Sequence, residues 1–155
     1  MDYQILGKTK LTVSVLGVGT GGPSRVGLRG GGSDENAESV IRLALDNGVN
    51  FIDTAEAYRT EPVVARAIRD TPRHELVLST KISHWEELDE ADVLEAVDER
   101  LRLLGTDYLD ICHFHAVTLD RYDRVVERLL PGLRRAQEAG KVRFIGVTEM
   151  FNADP

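Results

Sequence analysis

The chain has 155 residues, 42% of them hydrophobic and 29% charged, which is enough to bury the core of one ordinary globular domain. Its formal net charge is −7, and without a basic run this acidic balance excludes nucleic acids and anionic membranes as expected partners. Cys112 is the single cysteine, so no internal disulfide can form, and no signal-peptide or membrane-spanning run is recognisable. The expected location is therefore the cytoplasm.

The N-terminal third predicts a hairpin, a strand and a helix. Two apolar runs, residues 3–6 and 11–15, flank a Gly-Lys-Thr-Lys turn and favour the hairpin, and residues 16–20 continue into a first buried strand. The next segment, residues 21–33, is too rich in glycine for a regular element and predicts a long mobile loop. Asp34 is the expected N-cap of the helix that follows.

Strands and helices then alternate to the end of the sequence. Pro62 suits the first turn of one helix, Asp89 or Asp92 can cap the next, and the last helix must kink or split at Pro131. Such alternation indicates parallel strands joined by helical crossovers. Because a complete (β/α)8 barrel needs about 250 residues, the sequence predicts one α/β domain over residues 1–155 that holds the first half of such a barrel, with its C-terminal half absent. The further strands are predicted at residues 49–52, 76–81, 108–115 and 142–147.

Polar residues stand where three of these strands end. Asp53 ends the apolar run of VNFIDTAEAY, and Tyr58 follows five positions later. Lys81 ends the strand LVLSTK, and His115 ends the strand DYLDICHFH. Any one of them could be an ordinary solvated loop residue, but packing does not explain all of them together. Since active sites of (β/α)8 barrels lie at the carboxyl ends of the strands, we expect these residues at one rim.

With these motifs the sequence resembles the aldo/keto reductases. The pattern of that family is D-T-A-x-x-Y after the second strand, a lysine that ends the third and a histidine that ends the fourth. The likeness runs from YQILGKTKLTVSVLGVGT near the N-terminus to KVRFIGVTE near the C-terminus. It implies an N-terminal half of a (β/α)8 barrel with a hairpin at its base, and hydride transfer between NADPH, or NADH, and a small carbonyl or alcohol substrate.

The resemblance also implies a role for each polar residue. Tyr58 would be the general acid that protonates the substrate oxygen. A free tyrosine, with a pKa of about 10, is a poor acid at neutral pH, so a cation must stand nearby. Lys81 would supply that cation, and Asp53 would pair with the lysine. His115 would donate a hydrogen bond to the substrate oxygen.

Residues 17–22, GVGTGG, also match the G-x-G-x-x-G turn of a Rossmann dinucleotide-binding domain. That turn must open directly into a helix, whereas Pro23 and further glycines follow here, so we prefer the barrel interpretation. In the barrel, Gly19 and Thr20 would lie beneath the nicotinamide, and Asp53 would also belong to the cofactor site.

The residues after the fifth parallel strand depart from the family pattern. Many members have a Ser-Asn pair that holds the nicotinamide carboxamide, whereas this chain has Thr148 and Glu149. Threonine keeps the hydroxyl, but glutamate lacks an amide donor. We therefore expect Thr148 alone to keep this contact.

The loop after the strand that ends at Lys81 contains His84 and Trp85. Trp85 would line the substrate pocket or else be a half-exposed packing residue. His84, His113 and His115 together suggest a metal site, but no cysteine or carboxylate lies at ligand spacing, and none is predicted. His113 is expected to fill the barrel interior below His115.

Two functions remain open from the sequence. The first is an NADPH-linked carbonyl reductase in truncated form. The second is a non-catalytic remnant or interaction module, because the loops after strands 7 and 8, which build the phosphate site of such barrels, are not in the sequence. Five strands leave two open edges, so we also expect self-association through the sheet edges.

Overall fold

The computed structural model describes residues 1–85 and 87–150. The hairpin is β1 (Tyr3–Ile5) paired antiparallel with β2 (Thr12–Ser14). Five strands form a second, wholly parallel sheet in the order of the chain. These strands are β3 (Val18–Gly19), β4 (Phe51–Asp53), β5 (Val77–Ile82), β6 (Leu109–Val117) and β7 (Val142–Glu149).

The sequential strand order decides between the two predicted folds. A Rossmann sheet reverses its order about the first strand, which puts helices on both faces. Here every crossover joins neighbouring strands, and because such crossovers are right-handed, all helices lie on one face of the sheet. The fold is therefore the predicted half of a (β/α)8 barrel, and the Rossmann alternative is excluded. The helices are α1 (Asp34–Asp46), α2 (Glu61–Ile68), α3 (Glu90–Leu104), α4 (Leu119–Arg124) and α5 (Leu130–Glu138).

The two faces of the sheet are buried by different partners. Alternate strand residues such as Ile52, Leu78 and Phe114 pack with the helices in the main core. On the opposite, inner face a smaller cluster joins strand residues such as Ile111 to the hairpin. Asn50, just before β4, bonds the backbone of both Ser14 and Thr12. The hairpin therefore covers the amino ends of the strands and leaves the carboxyl ends free for a site.

Several local predictions are confirmed and others are corrected. Asp89 caps α3 and Asp92 completes a capping box, so both candidate residues take part. For α1 the cap is Ser33, not Asp34, because Ser33 has extended backbone and its hydroxyl accepts the Asn36 amide, whereas Asp34 is already helical. Pro131 lies in the first turn of α5, which follows a π-helical segment after α4.

The first parallel strand is shorter than predicted. Of residues 16–20 only Val18–Gly19 form the strand, and Leu16 is 62% exposed. The reason is that β3 is an edge strand, with a neighbour on one side alone. The glycine-rich loop after it contains one 3-10 turn, and its Val26 and Leu28 pack partly buried against the main core.

Candidate active site

The four predicted catalytic residues lie together at the carboxyl rim of the sheet. Asp53 is the last residue of β4, and Lys81 lies next to the end of β5. His115 is near the end of β6, and Tyr58 ends a 3-10 turn, Glu56–Tyr58, that follows β4. Strand alternation points the three strand residues to the inner face, away from the helices.

Lys81 and Asp53 form the central ion pair of the rim. Lys81 Nζ donates to Asp53 Oδ2 at 2.5 Å and to the carbonyl oxygen of Thr54 at 2.9 Å. The other oxygen of Asp53 accepts a hydrogen bond from Ser79 Oγ at 2.8 Å. Lys81 is only 7% exposed, and a buried ammonium needs such a partner to stay charged. The pair thus fixes a positive charge at a defined point of the rim.

Tyr58 lies beside this charge. Lys81 Nζ is 5.0 Å from the centroid of the Tyr58 ring. The same ring forms a T-shaped pair with the His115 ring, with centroids 5.4 Å apart and an interplanar angle of 86°. Within residues 1–85 and 87–150 the Tyr58 hydroxyl has no hydrogen-bond partner. It is therefore free to bond an oxygen atom of a substrate.

Gly21 allows the Tyr58 ring to occupy this position. A Cβ atom at residue 21 would lie 2.4 Å from two carbon atoms of the Tyr58 ring. The same loop donates a hydrogen bond from the Arg25 guanidinium to the carbonyl oxygen of Ala57, at 3.3 Å. The glycine-rich loop thus packs against the turn of Tyr58. No local pattern predicts this contact, because it joins residues that are far apart in the chain.

The two histidines of β6 are in their neutral form at neutral pH. Burial, and then the nearby Lys81 ammonium, lowers the pKa of both His113 and His115 from the ordinary value of 6.5. A neutral His115 keeps one N–H that can be donated. His113 lies lower on the inner face, where Gly146 leaves room for its ring, since a Cβ there would be 2.4 Å from His113 Nδ1.

Gly19 and Thr148, two of the residues predicted to bind the cofactor, lie at the rim with free groups. Gly19 is exposed beside Asp53 in the sheet, with open space where a side chain would be. Thr148 Oγ1 accepts the Ala116 N–H at 2.8 Å, which leaves the hydroxyl proton of Thr148 to be donated. These groups fit the nicotinamide end of a dinucleotide, which needs a flat surface and a donor to its carboxamide.

Thr20 has a different position from the two rim residues. It is fully buried, and its amide donates to the carbonyl oxygen of Asp53 at 2.9 Å. Its hydroxyl lies 2.7 Å from that of Thr60, which in turn lies 3.1 Å from that of Thr54. Thr20 therefore supports the rim from below, and its direct contact with a cofactor stays a prediction.

A cleft of about 510 Å³ opens next to His115. Trp85 is 60% exposed and lines it, with its ring tilted against that of His84. Ala116, directly after His115, has a left-handed φ of 57° at a bulge of β6. Its carbonyl oxygen lies 3.3 Å from His84 Nε2. The bulge turns the chain after His115, so that His115 and Ala116 both line the cleft.

Residues 1–85 and 87–150 contain no group of three His, Cys, Asp or Glu side chains placed to hold a metal ion. None of the helices in that part of the chain has the length and apolar composition needed to cross a membrane.

The chain is similar in sequence and fold to known proteins. The sequence model of the aldo/keto reductase family matches residues 15–154. The chain belongs to this family. It is 31% identical to L-galactose dehydrogenase of Arabidopsis thaliana, over 96% of this chain and 48% of that protein.

Two solved structures show the same fold. A thermostable aldo-keto reductase, in complex with the inhibitor epalrestat, superposes with a TM-score of 0.77 at 29% identity, over 95% of this chain and 53% of its own. An aldo-keto reductase of Bombyx mori in complex with NADP gives a TM-score of 0.74 at 25% identity, over 94% and 50%. The chain thus spans about half the length of the relatives it matches. Its relatives are oxidoreductases.

Proposed function

We propose that this chain provides the catalytic rim of an NADPH-dependent reductase of small aldehydes and ketones, which in the reverse direction would oxidise the alcohol with NADP⁺ as the hydride acceptor. The observation that carries the proposal is the buried Lys81–Asp53 ion pair beside the Tyr58 ring. A structural ion pair has no need of a tyrosine whose hydroxyl is left without a partner. An acid that protonates a substrate oxygen needs both the cation and the free hydroxyl.

In this proposal, the hydride that reduces the carbonyl carbon would come from NADPH when it is bound. The side chains of the rim act on the carbonyl oxygen. Tyr58 gives its hydroxyl proton to that oxygen, and the ammonium of Lys81 stabilises the phenolate that remains. Asp53 holds the ammonium in place. Neutral His115 donates a hydrogen bond to the same oxygen and orients the carbonyl group.

Four residues of the proposed cofactor site lie around this centre. Gly19 leaves a flat surface for the nicotinamide ring, and Thr148 donates to its carboxamide. Asp53, paired with Lys81, would border the nicotinamide, and Thr20 supports the surface from below. The NADP bound to the Bombyx mori relative supports NADPH as the first cofactor to test, with NADH as the alternative.

The experiment compares the 155-residue chain with a completed barrel, made by fusing this chain after Glu149 to the C-terminal half of the thermostable aldo-keto reductase. NADPH oxidation is followed with a panel of aldehydes. We expect near-background turnover for the chain alone, because the loops after strands 7 and 8 bind the cofactor phosphates in such barrels. The completed barrel should turn over, and Tyr58→Phe should lower kcat by about 10²–10⁴-fold. Tyr122→Phe, at an exposed tyrosine, is the matched control. Equal turnover of the two variants would contradict the proposal.

An interaction module without catalysis is the second candidate, and one observation favours it. The strand β7 is an open edge of the sheet, and its Val147 is about half exposed. We propose that the 155-residue chain associates with itself through this edge and through β3. We also propose a cytoplasmic location, which we infer from the composition of the chain.

A further inference from the structure

Behind the catalytic rim, between the sheet and the helices, lie three charged residues that the proposed chemistry does not use. Glu61 begins α2 and is 1% exposed, and Arg100 on α3 is 7% exposed. Glu56, which is partly buried, begins the turn that ends at Tyr58. Burying Glu61 and Arg100 to this extent is costly unless they find partners, so the arrangement of the three residues needs a reason.

The Arg100 guanidinium lies between the two carboxylates. Its Nε is 3.4 Å from Glu61 Oε2, and its Nη1 is 3.9 Å from Glu56 Oε1. Each carboxylate has a second bond to the β5 region. Thr80 Oγ1 donates to Glu61 Oε1 at 3.1 Å, and the Ser83 amide donates to Glu56 Oε2 at 2.8 Å. One arginine thus connects α2, α3 and the turn of Tyr58 to the strand that carries Lys81.

The electrostatics of this group depend on Arg100. Burial raises the pKa of Glu61, and the Glu56 charge acts in the same direction, while Arg100 opposes both. Arg100 Nε is itself buried without a hydrogen bond within the described residues, so its contact with Glu61 is ionic. Removing the guanidinium would leave two carboxylates that repel each other, and the more exposed one, Glu56, is the one free to turn toward solvent.

We propose that Arg100 is a positioning residue for the active site. Its guanidinium holds the Glu56 carboxylate against the Ser83 amide, and this fixes the turn of Tyr58 relative to Lys81. The inference rests on the proposed function, in which Tyr58 and Lys81 must stay together. A misplacement of about 1 Å at such a centre can cost about 10²-fold in rate, so a brace outside the site has a measurable effect on it.

The first test is hydrogen exchange, followed by mass spectrometry on the full 155-residue chain. Arg100→Met should make the Ser83 amide and the amides of the Glu56–Tyr58 turn exchange about tenfold faster, since a charge-assisted hydrogen bond is lost. The matched control is Arg73→Met, because Arg73 pairs with the fully buried Asp110 at 2.7 Å near the amino end of β6. That variant should lower global stability and leave exchange at Ser83 unchanged relative to the rest of the chain.

The second test uses the completed barrel described above. Arg100→Met should lower kcat about tenfold and change KM by less than about twofold, as expected when a group is misplaced without loss of binding. Arg100→Lys, which keeps the charge, should recover part of the loss. If wild-type turnover is absent, the proposed function fails, while the exchange experiment still decides the role of Arg100.

The inference is overturned if the Ser83 amide exchanges equally in the wild type and Arg100→Met, or if Arg73→Met produces the same local change. Should Arg100→Met not fold, Glu56→Gln replaces it. This substitution leaves an oxygen for the Ser83 amide and removes only the attraction to Arg100. Faster exchange in Glu56→Gln supports the brace, and unchanged exchange refutes it.

Discussion

Lys81 and Asp53 come from adjacent strands, and their charged atoms lie 2.5 Å apart. The pair lies at the carboxyl ends of β4 and β5, where a (β/α)8 barrel has its active site. The lysine is buried, whereas the carboxylate keeps about a third of its surface exposed. This asymmetry makes Asp53 the partner that can be changed with the least damage to packing.

The first prediction concerns Asp53→Asn, which keeps the size of the side chain and removes its charge. The variant leaves a buried ammonium with only neutral partners, so the free energy of unfolding should fall by about 1–3 kcal/mol. Urea unfolding measures the difference. Asp98→Asn is the control, because it breaks the exposed Lys141–Asp98 pair, which is worth less than about 1 kcal/mol. Equal effects of the two variants would show that Lys81 does not depend on Asp53.

The second prediction is that Gly21→Ala displaces the Tyr58 ring, because the added methyl group would overlap it. The nuclear Overhauser contacts between the rings of Tyr58 and His115 should weaken, and turnover of the completed barrel should fall. Gly30→Ala introduces the same methyl group where nothing lies within 4 Å. It should leave both measurements unchanged. If the ring contacts are also lost in this control, the effect of Gly21→Ala is not due to overlap with the Tyr58 ring.

The third prediction assigns the Thr148 hydroxyl to cofactor binding. Thr148→Val keeps the shape and removes the donor, so NADPH affinity of the completed barrel should fall about tenfold. Thr148→Ser keeps the hydroxyl and should bind nearly as the wild type does. Fluorescence titration with NADPH measures both. Equal NADPH affinity of the valine and serine variants would show that the Thr148 hydroxyl does not bind the cofactor.

The fourth prediction is that the protein loses stability as the pH is lowered below about 6.5. Burial lowers the pKa of His113 and His115 in the folded state, so the unfolded chain binds more protons in that range. The stability that these histidines contribute is complete above their pKa in the unfolded chain. It is lost as the pH falls through their lower pKa in the folded chain. Glu61, whose pKa burial raises, titrates with the opposite sign, so variants are compared with the wild type.

The measurement for this fourth prediction is thermal unfolding at about pH 7.5 and 5.5. His113→Gln should reduce the loss of Tm between the two pH values. His74→Gln, at an exposed histidine, should not change it. If His113→Gln retains the full loss, the histidines of β6 are not its source.

The fifth prediction concerns the open edge of the sheet. If the 155-residue chain associates through β7, then Val147→Lys should increase the monomer fraction in light scattering, since a charge on an edge strand opposes pairing. Val126→Lys places the same charge at another exposed valine, in the π-helical segment, and should not have this effect. If both variants increase the monomer fraction equally, the effect comes from the added charge and not from the sheet edge.

The sequence predicted those features that depend on local pattern. The ends of the apolar runs placed Asp53, Lys81 and His115 at the carboxyl ends of strands, and therefore at one rim. Pro62 and the capping residues Asp89 and Asp92 marked where two helices begin. The prediction of Asp34 as the N-cap of α1 was wrong. Ser33 and Asp34 are both good caps, and the choice depends on which of them leaves the helical backbone conformation.

The family resemblance predicted the Lys81–Asp53 pair, but distant contacts outside the family motifs could not be predicted. Gly21 is one of several glycines in a loop, and only the folded chain puts it against Tyr58. Glu61 and Arg100 lie on helices where charged residues are expected to face water, but the two meet between the helices and the sheet. Thr20 follows the same rule, since its hydroxyl bonds that of Thr60, forty positions further along the chain.

The proposed role of Tyr58 is tested most directly by a single-turnover reaction of the completed barrel with nicotinamide-deuterated NADPH and an aldehyde. We predict that the product alcohol carries deuterium at the former carbonyl carbon. In Tyr58→Phe, cofactor binding should be retained and deuterium transfer should slow by about 10²–10⁴-fold. Transfer at the same rate in both proteins, or no transfer in the wild type although NADPH binds, would contradict the assignment.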